Sequence, residues 1–230
     1  MSEPPRTSPL PPAPITVVLV EDSPFFRRGI EQELAQDPAI RLLDAATNAA
    51  QGLRQIRRLR PTVALVDLRL RADEGVRESA PEVGLELVRE IRCLPPTRAI
   101  LLSQYGGPAW VRRAATAGAY GLLDKDDPPH AVRAAIHRVA QGLPVWTAQQ
   151  LSWLQRAEAA RLTAREEEIL ELVAAGLQDQ EIARQLGIRP GTVGKHLESI
   201  RSKLQARNRF EAVLRARRLG LLPPDDGSRL

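Results

Sequence analysis

The sequence predicts an α/β unit followed by an all-α one: a five-stranded, doubly wound parallel sheet, then four helices that include a helix-turn-helix. Three observations carry this. The 230 residues exceed the usual size of one domain, so two compact units with separate cores are expected. From Ile15 to about Gly142 short aliphatic runs alternate with amphipathic stretches, the pattern of a sheet covered on both faces. After Gly142 the aliphatic runs stop and helical periodicity alone continues.

The runs at 15–20, 41–45, 62–66, 98–102 and 119–123 read as buried strands. Between them Pro24 to Gln36, Ala49 to Leu59, Gly84 to Cys93, Ala109 to Ala117 and Pro128 to Gln141 carry apolar residues at three- and four-residue spacing and read as helices. Thr147 to Gln150 resembles a capping box opening a linker helix toward Ala160, and Thr163 to Glu166 a second one opening a helix that Gly176 closes. Asp179 to Leu186, a turn at 187–189, Pro190 to Leu204 and Arg209 to Leu219 complete the helical unit. The expected division is a Pro-rich tail (1–14), an α/β domain (15–142), a linker helix (143–160), a helical domain (161–222) and a flexible tail (223–230).

Composition excludes several classes. With 43% hydrophobic and 27% charged residues the chain is too apolar for a disordered protein. Its longest aliphatic run, Ile15 to Val20, is far short of the roughly 20 residues a membrane helix needs. Six prolines in the first fourteen residues, with no apolar core, do not make a secretory signal. A single cysteine, Cys93, allows no internal disulfide; its neighbours Ile91 and Leu94 predict a buried thiol, and cytoplasm is the expected compartment. Net charge is +5, unevenly spread: residues 158–181 hold seven acids and two bases, whereas 184–218 hold ten bases and two acids. Such a run is a solvated face or a nucleic-acid footprint.

Open α/β sheets gather functional residues beyond the carboxyl ends of their strands. There the sequence places Glu21 and Asp22 after the first predicted strand, Asp67 after the third, Ser103 after the fourth and Lys125 after the fifth. Acids at strand ends are common, and each alone is explained that way as readily as by function. Together, three facing carboxylates need a compensating cation, and oxygen ligands without histidine suit Mg²⁺. A carboxylate can also attack phosphorus, with an ammonium such as Lys125 offsetting charge on the phosphoryl oxygens.

This pattern of acid pair, acid, hydroxyl and lysine resembles the receiver domain of two-component response regulators. The resemblance implies that Glu21, Asp22, Asp67 and the backbone carbonyl of Arg69 bind Mg²⁺, and that Asp67 accepts phosphate from a cognate histidine kinase. Ser103 would be the switch hydroxyl and Lys125 the phosphate contact. The chain departs from the family in its long segment 68–83 after Asp67, which borders the site, in Gln104 after the hydroxyl, and in Asp124 before the lysine. Leu122 stands where the family has its switch aromatic. Tyr120, two residues earlier, shares its face by strand alternation and is a substitute or a structural tyrosine. Phe25 and Phe26, directly after the acid pair, are core or a kinase-docking contact, one packing inside and one nearer the surface.

In the helical unit Ile182, Leu186, Ile188, Val193, Leu197, Ile200 and Leu204 form one core by spacing, and Gly187 permits a sharp turn. This segment is similar to the LuxR-type helix-turn-helix of NarL/FixJ-family response regulators. The resemblance implies DNA contacts at Thr192, Lys195, His196, Arg201 and Lys203, with Glu198 and Ser199 on the same helix face. Arg189 replaces the usual N-cap serine and is a further phosphate contact, and Gly194 replaces a lysine. Phe210, Val213, Leu214 and Leu219 offer a homodimer contact.

The resulting expectation is a DNA-binding transcription regulator whose partners are DNA, a histidine kinase and RNA polymerase. It is not an enzyme beyond self-catalysed phosphorylation and dephosphorylation of Asp67. Alternatives are a regulator of the same architecture controlled by ligand or partner without phosphorylation, and a phosphohydrolase using Asp67. The second usually needs another acid two residues on, where this chain has Arg69.

Overall fold

A computed structural model describes residues 13–160 and 162–222; most of the 1–14 tail and all of the 223–230 tail lie outside the described residues. The α/β part runs β1 (Ile15–Val20), α1 (Pro24–Leu34), β2 (Ile40–Ala46), α2 (Ala49–Leu59), β3 (Val63–Asp67), β4 (Leu70–Arg71), β5 (Ser79–Ala80), α3 (Pro81–Arg92), β6 (Arg98–Ser103), α4 (Pro108–Ala117), β7 (Leu122–Asp124) and α5 (His130–Ala140). Five strands form one sheet in the order β2-β1-β3-β6-β7, in which β1 pairs parallel with β2 and β3, and β6 with β7. Every residue of β3 is buried, which is why it reads as an unbroken apolar run ending in one acid.

Side-chain caps start the first two helices. Ser23 accepts from the Phe26 N–H, and Asn48 Oδ1 accepts from the Gln51 N–H at 2.8 Å. Gly52 lets α2 approach β1, since a Cβ there would meet the Val20 side chain.

Four expectations change. Residues 68–83, expected as a loop, contain the antiparallel pair β4–β5, with Leu70 opposite Ala80 and Arg71 opposite Ser79, and 81–83 are the first turn of α3. The fifth strand, expected over 119–123, is Leu122–Asp124: after α4 closes at left-handed Gly118, Ala119 to Gly121 make the turn back into the sheet. Tyr120 therefore lies before β7, and strand alternation does not fix its face relative to Leu122. Cys93 is exposed at the C-cap of α3 even though Ile91 is buried, because residues two apart on a helix point to nearly opposite sides.

The helical part contains α6 (Ala148–Ala160), α7 (Ala164–Ala174), α8 (Asp179–Leu186), α9 (Pro190–Lys203) and α10 (Arg209–Arg218). Ile169, Leu170, Ile182, Val193, Ile200 and Leu204 are buried together, with Leu186 and Ile188 half-buried against them. Gly187 takes the left-handed conformation (φ 64°) between α8 and α9. Packing divides the described residues into two compact units, one of residues 13–100 with Asp127–Leu143, the other of Leu101–Asp126 with the described residues from Pro144 to Leu222.

Within the first unit, Gly84 sits where α3 crosses the end of β3, and a Cβ there would fall on the carbonyl oxygens of Asp67 and Leu68. Backbone cannot yield as a flexible side chain does. Gly84→Ala is expected to lower stability by about 1–3 kcal/mol, as overpacking does, read as a lower urea midpoint.

Candidate functional site

The acidic site is built by strand ends. β1 delivers Glu21 and Asp22, and β3 ends on Asp67. One ligand oxygen from each of the three lies within 4.8 Å of the others. Glu21 and Asp67 are buried, and Asp22 is half-buried. Local hydrogen bonds orient the cluster: Glu21 Oε1 accepts from the Ser23 N–H at 3.0 Å, and Asp67 Oδ1 accepts from the Arg69 N–H at 3.2 Å. Oxygen donors alone, three of them anionic, fit a hard divalent cation.

In the second unit Ser103 ends β6 and Lys125 follows β7, the Lys125 N–H donating to the Ser103 carbonyl at 2.8 Å. The Ser103 hydroxyl is buried; it donates to the Tyr105 carbonyl at 3.0 Å and accepts from the Tyr105 N–H at 2.8 Å. Gln104 is exposed, Leu122 buried and Tyr120 half-buried. Phe25 is almost fully exposed and Phe26 half-buried, the one-in, one-out arrangement that adjacent helical positions give.

On α9, Lys195, Glu198 and Ser202 are exposed while Val193, Leu197 and Ile200 face the core. Arg189 at the N-cap is exposed and makes no side-chain cap hydrogen bond; Thr192, His196 and Arg201 are half-buried. Two expected DNA-facing residues are engaged elsewhere. The Ser199 hydroxyl donates to Glu166 Oε1 at 2.7 Å, and Lys203 Nζ to Glu166 Oε2 at 2.6 Å.

Comparison with known proteins agrees with both halves. Residues 17–137 match the response regulator receiver domain, and residues 160–216 match the luxR family of bacterial regulatory proteins. The NarL regulatory protein of Mycobacterium tuberculosis is 33% identical over 218 residues, covering 92% of this chain and 97% of that one. NarL of Escherichia coli is 31% identical (87% and 94%), and DesR of Bacillus subtilis 29% (90% and 98%). The chain belongs to the response regulators. Among solved structures it resembles the NarL receiver domain of Mycobacterium tuberculosis (TM-score 0.51, 30% identity, 57% of this chain and 99% of that one). It also shares the fold of RcsB from Salmonella enterica serovar Typhimurium, solved bound to a promoter (TM-score 0.60, 20% identity, 89% and 98%).

In this response regulator two features escaped sequence reasoning. The first is Glu166, which was legible as half of a capping box: Thr163 Oγ1 accepts from the Glu166 N–H, and Glu166 Oε2 accepts from the Thr163 N–H at 2.7 Å. The same buried carboxylate holds the C-terminal half of α9 through Ser199 and Lys203. Burial alone would raise its pKa, yet the Lys203 ammonium, the Thr163 N–H and the Ser199 and Thr163 hydroxyls outweigh it and bring it down to about 2. The second is Gln150, whose Nε2 donates to the Leu122 carbonyl at 2.9 Å from the predicted Thr147 capping box. With the Val145 N–H on the Tyr120 carbonyl (2.8 Å), it ties the start of α6 to β7.

A carboxyl held below its ordinary value of 4.5 stabilises the fold above that pH, and the contribution is lost as pH falls toward about 2. Glu166→Gln is therefore expected to unfold more easily at neutral pH, by about 2 kcal/mol. The gap to wild type should close between pH 4.5 and about 2 in urea titrations, because protonation then makes the wild-type residue resemble the amide.

Proposed function

We propose that this transcription regulator is controlled by phosphorylation of Asp67, with a histidine kinase as donor and Mg²⁺ held by Glu21, Asp22, Asp67 and the Arg69 carbonyl. The observation that carries the reading is the convergence of the three carboxylates at the strand ends, one of them Asp67 on its own short turn. In this reading the Arg69 N–H orients the Asp67 carboxylate as nucleophile, Lys125 offsets charge on the phosphoryl oxygens, and Ser103 donates to one of them after releasing the Tyr105 carbonyl. Bound Mg²⁺ supplies positive charge that lowers the cost of bringing an anionic phosphoryl group to a carboxylate.

The receiver extends over 15–142 and the DNA-binding domain over 161–222, joined by the linker helix at 143–160. The regulator acts in the cytoplasm as a homodimer through α10, where Phe210 and Leu214 are exposed, and meets RNA polymerase at its promoters. No helix among the described residues is long and apolar enough to cross a membrane. The Ser103 hydroxyl, satisfied by the Tyr105 backbone, and the buried Leu122 favour a second reading in which a ligand or partner replaces phosphorylation.

One experiment separates the two. With Mg²⁺ and acetyl phosphate, intact mass should rise by one phosphoryl group in wild type and stay unchanged in Asp67→Asn, whose amide is not a nucleophile. Equal masses before and after treatment in wild type would leave the second reading standing.

For DNA, α9 enters the major groove with Lys195 reading base edges and Arg201 contacting the backbone, since Lys195 is exposed and Gly194 offers no side chain. Lys195→Ala is expected to reduce discrimination between specific and random sites by about 1–3 kcal/mol. Arg201→Ala should weaken both equally and lower the salt slope by about one unit. Fluorescence-anisotropy titrations of the full chain at several salt concentrations check both.

A further inference from the structure

The hairpin that follows Asp67 brings a cation to the acidic cluster. Arg71 lies in β4, paired with Ser79 of β5, and its guanidinium approaches Asp22 with Nε 3.7 Å from Oδ2. The same guanidinium donates through Nη2 to the Thr47 carbonyl, in the turn before α2, at 3.4 Å.

The hairpin that carries Arg71 is fixed at several points. Leu70 is fully buried, the Ala50 N–H at the start of α2 donates to the Ala72 carbonyl at 3.0 Å, and Arg69 Nη2 donates to the Ser79 carbonyl at 3.0 Å. Arg71 is thus not a surface side chain that happens to drift near an acid. Its backbone is paired, its guanidinium has a second acceptor on another loop, and its charge is delivered to the one half-buried carboxylate of the cluster.

We propose that Arg71 is a tethered counter-cation of the acidic cluster, which neutralises Asp22 when no metal is bound and competes with a divalent cation for it. The inference rests on the metal-binding reading of Glu21, Asp22 and Asp67. A divalent cation taking an oxygen of Asp22 is placed next to a guanidinium that is always charged, and like charges at that distance repel. Either the guanidinium swings away, giving up Asp22 and the Thr47 carbonyl, or the cation binds against its field. Metal affinity is weakened in both cases, while the metal-free site is spared the full repulsion of three carboxylates. The residue therefore makes phosphorylation of Asp67 dependent on a higher metal concentration than the carboxylates alone would demand.

The test is a Mn²⁺ titration of the full chain, with free Mn²⁺ followed by electron paramagnetic resonance, together with thermal melting in chelator and in excess Mn²⁺. Arg71→Ala, and Arg71→Gln, which keeps a donor for Thr47, should each bind Mn²⁺ about 10-fold or more tightly than wild type. Both should melt lower than wild type in chelator and gain more from Mn²⁺. Arg77→Ala removes the same charge from the exposed hairpin tip and should leave Mn²⁺ affinity at the wild-type value. Binding by wild type that is unchanged or weaker in both Arg71 variants overturns the proposal and leaves the metal reading intact. So does equal tightening by Arg77→Ala, which would mean that net charge and not position sets the affinity. Absence of Mn²⁺ uptake by wild type and both Arg71 variants overturns the metal reading, and the proposal with it.

Discussion

Glu21, Asp22 and Asp67 present oxygens within 4.8 Å of one another, and carboxylates so close repel unless positive charge or hydrogen-bond donors offset them. Much of the α/β half answers that constraint. The parallel sheet puts the ends of β1 and β3 side by side, so the acids cannot separate without breaking the ladder from Val17–Val63 to Val20–Val66. Gly84 allows α3 to lie directly on the turn after Asp67, fixing the backbone from which the third acid projects. The Ser23 and Arg69 N–H groups, and Arg71 from the hairpin, supply donors and charge.

The helical half repeats the device once, with the opposite outcome. Glu166 is a buried acid whose partners are all internal: the Thr163 N–H, two hydroxyls and the Lys203 ammonium. Here the charge is satisfied by the fold itself, and the result is orientation. The carboxylate belongs to α7 and its partners Ser199 and Lys203 to α9, so α9 is pinned by polar contacts as well as by Val193, Leu197 and Ile200 in the core. Two residues with the right chemistry for DNA contact, half-buried Ser199 and exposed Lys203, are thus bonded to Glu166, while Lys195 and Glu198 lie exposed on the same helix.

Val145 and Gln150 satisfy the carbonyls of Tyr120 and Leu122 at the end strand of the sheet. Leu122 is buried, and its carbonyl is hydrogen-bonded to Gln150 in the first turn of α6. In the same unit, Arg112 of α4 pairs with Glu167 of α7 at 2.5 Å, and Gly220 lies against the backbone at Pro108.

The sequence by itself determined the alternation of strands and helices, the two capping boxes, the acids at strand ends and the helix-turn-helix. Each of these depends on chemistry within a few residues: apolar period, a capping hydroxyl, a glycine at a turn, an acid where an apolar run ends. Only the tertiary structure decided the rest. Two-residue strands have no periodicity, so the hairpin that carries Arg71 to Asp22 was invisible in residues 68–83. The Cys93 thiol is exposed because apolar neighbours in sequence are not neighbours around a helix. Glu166 and Lys203 are 37 residues apart. Their pairing, like that of Gln150 with the Leu122 carbonyl, exists only once separate helices and strands have packed. Local sequence sets which groups can pair, and long-range burial, which excludes water and leaves each polar group to find a protein partner, sets which of them do.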